Sequence, residues 1–325
     1  MADLEPSRFL EDVLDTPKAL RSTADLHAGG GPLARLGSLE PRPSRMLFLG
    51  MGSSRYAALN ATAMLRARGV DAHAELASTG APQPPALDTL AVAVSANAGS
   101  AETMAALRRH AGHSHTVAVT SRPRSQFAAA AGLCLALGSG AEVSGVACKS
   151  YTSTLAVLLL MVGRMLGEPR LGRDLLREAA DASERVLDDR ERWLPQAAEL
   201  LAGRALHVLA PAERIGSAEQ SALMLREVPR VRADACETGD WSHVDVYLSK
   251  RPGLGLVMLR GSAWEAEVMD WAVERGVPVV TVGGALDRSV LDVPIADGGD
   301  PLVRLLVESH ACELLAAELW RLDPI

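Results

Sequence analysis

The sequence is poor in aromatic residues, which make up 3% of its 325 residues, and it contains only four cysteines. Hydrophobic residues still account for 48% of the chain, so a core must be built mainly from alanine, leucine and valine. The cysteines are widely scattered, with no CxxC pair and no histidine at ligand spacing. Disulfide bridges and a zinc site are therefore not expected. The same composition excludes disordered and fibrous proteins.

The chain also lacks an excess of basic residues and a long apolar run. Its 33 Lys and Arg against 40 Asp and Glu give a net charge of −7, which argues against a protein that binds nucleic acid by neutralising phosphates. The longest strongly apolar run, 155–162, is far shorter than the roughly 18 residues that cross a membrane. The N-terminus has no secretory signal pattern, so we expect a cytoplasmic protein without membrane contact.

Short apolar runs alternate with helical stretches, a pattern typical of buried parallel strands in an α/β protein. The first runs are 46–49, 90–94, 115–119 and 133–137. A comparable set recurs about 160 residues later at 206–209, 254–259, 277–282 and 293–295, where Pro294 limits the last run to a sheet edge. This pattern predicts two similar lobes, each a doubly wound, flavodoxin-like parallel sheet flanked by helices.

The predicted organisation has four parts: an N-terminal helical arm over 1–34, a first repeat over 35–168, a helical connector over 169–202 and a second repeat over 203–325. The arm is indicated by Asp15, Thr16 and Pro17, which supply a helix cap and a first-turn proline. The connector is indicated by leucine and valine at the spacing of amphipathic helices among many charged residues.

The first candidate ligand loop follows the first strand and reads Gly50-Met51-Gly52-Ser53-Ser54. Its glycines allow close backbone approach, and the helix that follows offers unpaired N–H groups to an anion. A nicotinamide dinucleotide fits poorly, because the third glycine of the GxGxxG fingerprint would fall at Arg55. A tight strand-to-helix turn without a ligand is the other interpretation.

The second candidate loop runs from 95 to 103 as Ser-Ala-Asn-Ala-Gly-Ser-Ala-Glu-Thr. The small polar side chains of Ser95, Asn97 and Ser100 gather at a helix N-terminus, where they can donate to phosphate oxygens. The alternative is that Ser100 is an ordinary N-cap. Two such loops in adjacent βα units are expected to lie together at the carboxyl ends of neighbouring strands, where ligands usually bind.

Three ordered features resemble the tandem sugar isomerase (SIS) family: Gly52-Ser53-Ser54 after a strand, the serine-rich loop 95–103, and Glu-Val-Ser-Gly-Val-Ala-Cys-Lys-Ser-Tyr over 142–151. The resemblance covers nearly the whole chain. It is to the isomerase half of glucosamine-6-phosphate synthase and to stand-alone glucosamine-6-phosphate deaminases and fructosamine-6-phosphate deglycases. It implies a phosphosugar ligand, a homodimer with the site near its interface, and neither a metal nor an organic cofactor.

The resemblance also implies which residues contact the sugar. Those that hold the phosphate are Gly52, Ser53, Ser54, Ser95, Asn97 and Ser100. Those at the substrate pocket are Gly145, Ala147, Lys149 and Met224, with a structural role at a helix start equally open for Lys149. The family's usual Ser-Gln-Ser-Gly-Glu-Thr loop is altered here, but the amide of Asn97 can still donate to phosphate.

The segment 222–227 resembles the helix that carries the family's catalytic glutamate, which is followed by a strand and by a loop with a histidine, here 16 positions after the glutamate. This implies that Glu227 is the base that moves a proton between C1 and C2 of the sugar, with His243 as its acid/base partner. Taken without the resemblance, Glu227 is a helix-end acid paired with Arg226 or Arg230. His243 is then a polar loop residue.

Three departures from the family pattern bear on the activity. Met224 stands where a lysine is expected, His243-Val244-Asp245 replaces His-Gly-Pro, and the sequence ends before the family's lysine-bearing tail. Neither a glutaminase half nor a helix-turn-helix domain is expected. The leading interpretation is aldose–ketose isomerisation of an aminosugar phosphate, with or without deamination. A deglycase, which can work with a glutamate and a histidine, and a non-catalytic phosphosugar sensor or inactive paralogue are the alternatives.

Overall fold

The computed structural model describes residues 5–29 and 31–323, which divide into two compact units. We call residues 18–142 and 149–180 the first lobe, and residues 5–17, 143–148 and 181–323 the second lobe. The first four residues, residue 30 and the last two residues lie outside the described part of the chain, and so do the expectations that concern its two ends.

The helices and strands are numbered here in chain order. The α-helices are α1 Pro6–Leu14, α2 Thr16–Leu26, α3 Gly31–Arg35, α4 Ser53–Arg66, α5 Ala101–His110, α6 Gln126–Ala129, α7 Lys149–Leu166, α8 Arg173–Asp188, α9 Leu194–Leu201, α10 Ile215–Glu227, α11 Thr238–Trp241, α12 Glu265–Arg275, α13 Pro301–Val307 and α14 His310–Leu322. The strands are β1 Arg45–Gly50, β2 Asp71–Leu76, β3 Thr89–Val94, β4 His115–Thr120, β5 Leu133–Ala136, β6 Ala205–Ala210, β7 Ala233–Glu237, β8 Leu254–Leu259, β9 Val279–Val282 and β10 Leu291–Val293. Short 3-10 helices cover Leu36–Ser38, Asp189–Arg192, Ala212–Arg214 and Asp245–Lys250.

The first lobe contains a five-stranded sheet with the order β2-β1-β3-β4-β5, in which every adjacent pair is parallel. The four apolar runs predicted as strands correspond to β1, β3, β4 and β5. All six residues of β3 are buried, as expected for a central strand with helices on both faces. The edge strand β2 was not predicted, because it mixes exposed, partly buried and buried residues and forms no apolar run.

The second lobe contains a sheet with the order β10-β9-β8-β6-β7, again with parallel pairs throughout. The predicted runs 206–209, 254–259 and 277–282 correspond to β6, β8 and β9. The predicted run 293–295 overlaps β10 only at Val293, because the strand ends before Pro294, and β10 lies at the sheet edge as expected. The opposite edge strand, β7, forms no apolar run, but it agrees with the strand that the resemblance implied between Glu227 and His243.

Read in order of chain position, the strands of both sheets follow the same 2-1-3-4-5 arrangement. The predicted duplication and the doubly wound α/β fold are therefore confirmed. In this arrangement the strand order reverses between the first and third strands, which lie side by side, and ligands in such folds bind outside the carboxyl ends of strands at that point. The point lies between β1 and β3 in the first lobe and between β6 and β8 in the second.

The longest helix, α7, is buried along Lys149–Gly163 within the first lobe. Its apolar residues form core rather than a membrane span: within 5–29 and 31–323, no helix combines the length and the hydropathy needed to pass through a bilayer. In the second lobe, Phe9 and Val13 of α1 are fully buried in the same apolar cluster as residues of β6, α10 and α14. The N-terminal helix is therefore part of the core of that lobe.

Candidate functional site

The loop after β1 forms a tight entry into α4. Gly52 is the N-cap residue of α4 and has φ 49° and ψ −130°, a conformation that only glycine adopts readily. A Cβ on Gly50 would lie 3.1 Å from the backbone nitrogen of Arg55, so the strand end passes close to the first helical turn. Ser53 and Ser54 occupy the first two positions of α4 and are partly exposed. The backbone therefore presents the positive end of a helix together with two hydroxyls.

The backbone of Gly52 supplies a direct test of this loop. We expect Gly52→Ala to lower the free energy of unfolding by about 1–3 kcal/mol, because alanine is strained at this φ and ψ although no atom lies within 4 Å of its Cβ. The matched control is Gly80→Ala, where the added methyl also meets open space but φ is not positive, and no loss is expected. Equal free energies of unfolding for wild type and Gly52→Ala in urea titrations would contradict the backbone conformation assigned to Gly52.

The loop after β3 begins with the buried Ser95 and continues through the exposed Asn97 to Ser100, the N-cap of α5. The Ser100 hydroxyl oxygen accepts a hydrogen bond from the Thr103 backbone N–H at 3.1 Å. The same hydroxyl donates to the Glu102 carboxylate at 3.0 Å. The N-cap interpretation of Ser100 is thus correct, and its hydroxyl hydrogen is directed to an acid that a phosphate oxygen would have to replace.

The two loops belong to neighbouring strands. β1 and β3 are directly hydrogen-bonded, with Leu49 opposite Ala93. Because the two strands are parallel, the loops that follow them start side by side at the carboxyl ends of the strands. The strand order of the first lobe reverses between these two strands, and ligands in such folds bind next to their carboxyl ends. The structure brings together the two loops that were expected to bind one anion.

In the corresponding loop of the second lobe, after β8, a glutamate side chain accepts the backbone hydrogen bonds that an anion would otherwise accept. The Glu265 carboxylate accepts hydrogen bonds from the backbone N–H of Gly261 and, at 3.0 Å, from that of Ser262. It also pairs with Arg260 at 2.7 Å. Glu265 is the first residue of α12, whereas the first residue of α5 is Ala101. The backbone donors after β8 therefore already have an acceptor, and the candidate anion site belongs to the first lobe.

The motif 142–151 is divided between the lobes. Glu142 and α7 belong to the first lobe, where the Glu142 carboxylate accepts from the Ser150 N–H and hydroxyl, each at 2.9 Å, and so caps α7. Lys149, the first residue of α7, is buried. This placement agrees with the structural interpretation of its position at a helix start and does not test contact with a ligand.

Residues 143–148, which include Gly145 and Ala147, belong to the second lobe. The Asp12 carboxylate accepts from the backbone N–H of Ser144 at 2.8 Å, and the Gln220 amide donates to the Ala147 carbonyl at 2.7 Å. The segment is therefore fixed to α1 and α10. Nothing in the sequence pattern linked Asp12 or Gln220 to this motif, because both contacts join distant parts of the chain.

Met224 and Glu227 lie on α10 and differ sharply in environment. Met224 has no exposed surface and is packed in the apolar core of the second lobe. Glu227 is the last residue of the helix and is partly exposed, and burial raises the pKa of its carboxyl group against the opposing effect of Arg230. Glu227 is thus a carboxylate with increased basicity at a helix end.

The sequence alone left open a pairing of Glu227 with Arg226 or Arg230. The structure places both guanidinium groups on backbone carbonyls instead: Arg226 donates to Ala233 at 2.6 Å, and Arg230 donates to the Glu227 carbonyl. Among the described residues, no ion pair joins the Glu227 side chain to either arginine. Its carboxylate is accordingly not neutralised by a direct ionic contact.

His243 lies on an exposed loop after α11. Glu227 precedes β7 and His243 follows it, and the four residue steps of this strand span about 13 Å. Arg226, next to Glu227, bonds to Ala233 at the start of β7, whereas Asp245, close to His243, bonds to Cys236 near its end. The structure therefore places Glu227 and His243 at opposite ends of β7 within one chain.

One group of possible metal ligands occurs within the described residues: ligand atoms of His207, Cys236 and Asp245 lie within 4.8 Å of one another. Trp241 donates its indole N–H to His207 Nδ1 at 2.9 Å, and the Cys236 thiol donates to Asp245 at 3.2 Å. A cation would need the thiolate and an imidazole lone pair, but Nδ1 of His207 already accepts the indole N–H and the thiol already donates to Asp245. The group therefore fits a set of hydrogen bonds better than a metal. Sequence spacing did not reveal it, because pairing of β6 with β7 brings the residues together.

Comparison with known proteins gives the following similarities. The glutamine–fructose-6-phosphate aminotransferase (isomerizing) of Aeropyrum pernix is 28% identical over 293 residues, which cover 85% of this chain and 47% of that protein. The chain spans about half the length of the curated relatives it matches. A comparison with family models found no match.

Two solved structures share the fold over nearly their whole length. The C-terminal domain of glucosamine-fructose-6-phosphate aminotransferase from Francisella tularensis has a TM-score of 0.82 at 16% identity, with 96% of each chain covered. Glucosamine-6-phosphate deaminase from Thermotoga maritima has a TM-score of 0.76 at 18% identity, with 98% of this chain and 95% of that chain covered. At these identities the likeness concerns the arrangement of the two lobes' helices and strands.

Proposed function

Since the chain has the two-lobed fold of the sugar isomerase (SIS) family and resembles it in sequence, we propose that it is a phosphosugar enzyme of the isomerase type. In this proposal the first lobe binds the sugar phosphate through Gly52, Ser53, Ser54, Ser95, Asn97 and Ser100. The observation that carries it is the adjacency of two polar loops, each leading into a helix, at the ends of β1 and β3. Helix N-termini and small donors suit a phosphate without requiring a cation.

The reaction proposed is aldose–ketose isomerisation of an aminosugar phosphate, with or without deamination. Glu227 is the base that moves a proton between C1 and C2. Its partly buried position and raised pKa support this role, because a carboxylate of ordinary pKa is a weaker base toward a carbon acid. His243 is the partner that exchanges protons with the sugar oxygens.

The positions of Glu227 and His243 support a homodimer. Because β7 separates the two residues within one chain, the proposal has a second copy supply one of them to the sugar. The segment after His243 also exposes apolar side chains: Val244, Tyr247 and Leu248 are 56%, 63% and 56% exposed. Exposed apolar groups at this density suit a protein surface that another chain covers.

A deglycase acting on fructosamine 6-phosphate conjugates is the second candidate. It is favoured by Met224, which replaces the expected lysine and is wholly enclosed by the core, so no ammonium group is available at that position. Deglycation in this family can proceed with the glutamate and histidine alone. The same feature keeps a non-catalytic phosphosugar sensor as the third candidate.

Phosphorus NMR spectra of the purified protein with glucosamine 6-phosphate and, separately, with a fructosamine 6-phosphate conjugate distinguish these candidates. We expect fructose 6-phosphate to appear from the first substrate. Glucose 6-phosphate from the second would establish the deglycase instead. Saturable binding of either sugar without any product would replace the enzyme with a sensor, and neither binding nor product would contradict the phosphosugar proposal as a whole.

A further inference from the structure

Residues two positions before and two positions after His243 are each held by a side-chain hydrogen bond to the second sheet, one buried and one partly buried. Trp241, two positions before it, donates to His207 of β6, and Asp245, two positions after it, accepts from Cys236 of β7. His243 itself is exposed, and its backbone N–H donates to the Asp240 carbonyl at 2.9 Å. Among the described residues, the side-chain hydrogen bonds between segment 241–245 and these two strands therefore flank the proposed catalytic histidine.

The first link requires a neutral His207. Indole nitrogen is a donor only, so Nδ1 of His207 must present a lone pair and carry no proton. Both groups are buried, with 0% exposure for Trp241 and 3% for His207. Apolar residues surround this region, including Leu209, Leu256 and Met258. A leucine at position 207 would fill such a core without the cost of burying a polar ring, and the indole N–H of Trp241 would then lack an acceptor.

The second link requires a protonated Cys236. Its thiol donates to the Asp245 carboxylate at 3.2 Å, and burial together with that carboxylate raises the pKa of the thiol. The thiol is thus held in its donor form at neutral pH and is not a nucleophile. The two hydrogen bonds thus involve a neutral imidazole and a neutral thiol, and they hold segment 241–245 at both of its ends.

We propose that His207 and Cys236 are positioning residues for His243, which fix segment 241–245 so that the imidazole of His243 meets the sugar oxygens in a defined place. This inference rests on the proposed function. A group that exchanges protons must lie within hydrogen-bond reach of its target, and small displacements of such a group lower the turnover rate more than they lower binding. Fixing both flanks of an exposed residue meets that requirement.

The link through Trp241 is also sensitive to pH. Burial lowers the pKa of His207, while Asp245 and Asp234 oppose this effect, and Cys236 is the remaining titratable group in the cluster. A folded-state pKa below the ordinary value of about 6.5 keeps the ring neutral at neutral pH. The stability contributed by the neutral ring is present above 6.5 and is lost as the pH falls through the folded-state pKa. Protonated Nδ1 then faces a second donor, and the link is broken.

The test compares His207→Leu, which removes the acceptor, with His207→Asn, whose side-chain oxygen can accept from Trp241 but does not titrate. We expect kcat of His207→Leu to fall at least tenfold while KM for the phosphosugar changes less than twofold. His207→Asn should keep kcat within about threefold of wild type and should lose the part of the acid decline that His207 causes. The matched control is His310, a fully buried histidine of α14 bonded to Ser183 and Glu313. His310→Leu should lower stability without a selective loss of kcat.

Histidine NMR spectra separate this inference from the proposed function. The ring signals of His243, assigned with His243→Gln, should shift and broaden in His207→Leu and stay near their wild-type positions in His207→Asn. This pattern in a protein without turnover would contradict the enzyme proposal and retain the positioning. Unchanged His243 signals together with unchanged kcat in His207→Leu would overturn the inference. If His207→Leu does not fold, Cys236→Ala, which removes the donor, and Cys236→Ser, which keeps it, provide the same comparison, and equal kcat in that pair would also overturn it.

Discussion

Glu227→Gln is expected to lower kcat by about 10²–10⁴-fold, the usual contribution of a positioned base, while the affinity for the phosphosugar changes little. Glutamine has nearly the same shape but cannot accept the proton from carbon. Because no described ion pair holds the Glu227 side chain, the substitution breaks no buried charge pair and should leave the fold intact. Initial rates and direct binding measurements on the same preparation check both parts of the prediction.

The pH dependence of kcat/KM provides a second check on the same residue. Burial raises the pKa of Glu227 above its ordinary value of 4.5, and a base works only when ionised. The value of kcat/KM should therefore increase as the pH rises through that raised pKa, and it should be low at pH values below that pKa. Glu274→Gln on the exposed surface of α12 is the matched control and should leave the profile unchanged. Full activity in Glu227→Gln would eliminate Glu227 as the base.

Ser100→Asp is expected to weaken phosphosugar binding by about 100-fold or more, because it places a carboxylate where a phosphate is to bind and like charges at contact distance repel by several kcal/mol. Aspartate is as good an N-cap as serine, so the bond to the Thr103 N–H that now measures 3.1 Å can be kept. Ser100→Asn keeps the cap without the charge and should bind far better than Ser100→Asp. Calorimetric titration with one phosphosugar ranks the two variants.

A second N-cap serine controls for the cap itself. Ser125 is the N-cap residue of α6. Its hydroxyl oxygen accepts a hydrogen bond from the Ala128 N–H at 3.2 Å, just as the Ser100 hydroxyl accepts from Thr103. Ser125→Asp should bind the phosphosugar as wild type does, since position 125 lies outside the two candidate loops. Identical affinities for wild type and Ser100→Asp would remove the loop after β3 from the proposed phosphate site.

Most of the fold could be predicted from the sequence because central strands with helices on both faces need continuous apolar runs. β3 and β8, buried at all six positions, were the easiest to recognise. The edge strands β2 and β7 form no apolar run, because each mixes buried with exposed residues, and for β7 only the family resemblance implied a strand. Polar and charged residues are typical of edge strands, and strands that contain them do not appear as apolar runs in the sequence.

The two loops of the first lobe could be predicted because their location follows from chain order in a doubly wound sheet. The anchoring of Ser144 by Asp12 and the link between Trp241 and His207 could not, because each joins residues whose proximity depends on packing of separate elements. The separation of Glu227 from His243 followed from the position of β7, a strand that the family resemblance implied but that no apolar run indicated. Local pattern therefore located the loops, and tertiary packing determined what surrounds the proposed catalytic residues.

The carboxylate of Glu265 has a consequence for how the two lobes respond to their surroundings. A metabolite that binds the loops of the first lobe stabilises the folded form of that lobe by about 2.7 kcal/mol at 100 times its Kd. The loop after β8 holds its own acid at a fixed effective concentration, so this loop gains nothing from such a metabolite. The two corresponding loops thus differ in thermodynamic linkage: in the proposed function the order of the loop after β3 depends on the supply of a ligand, whereas that of the loop after β8 depends on its covalent connection to Glu265.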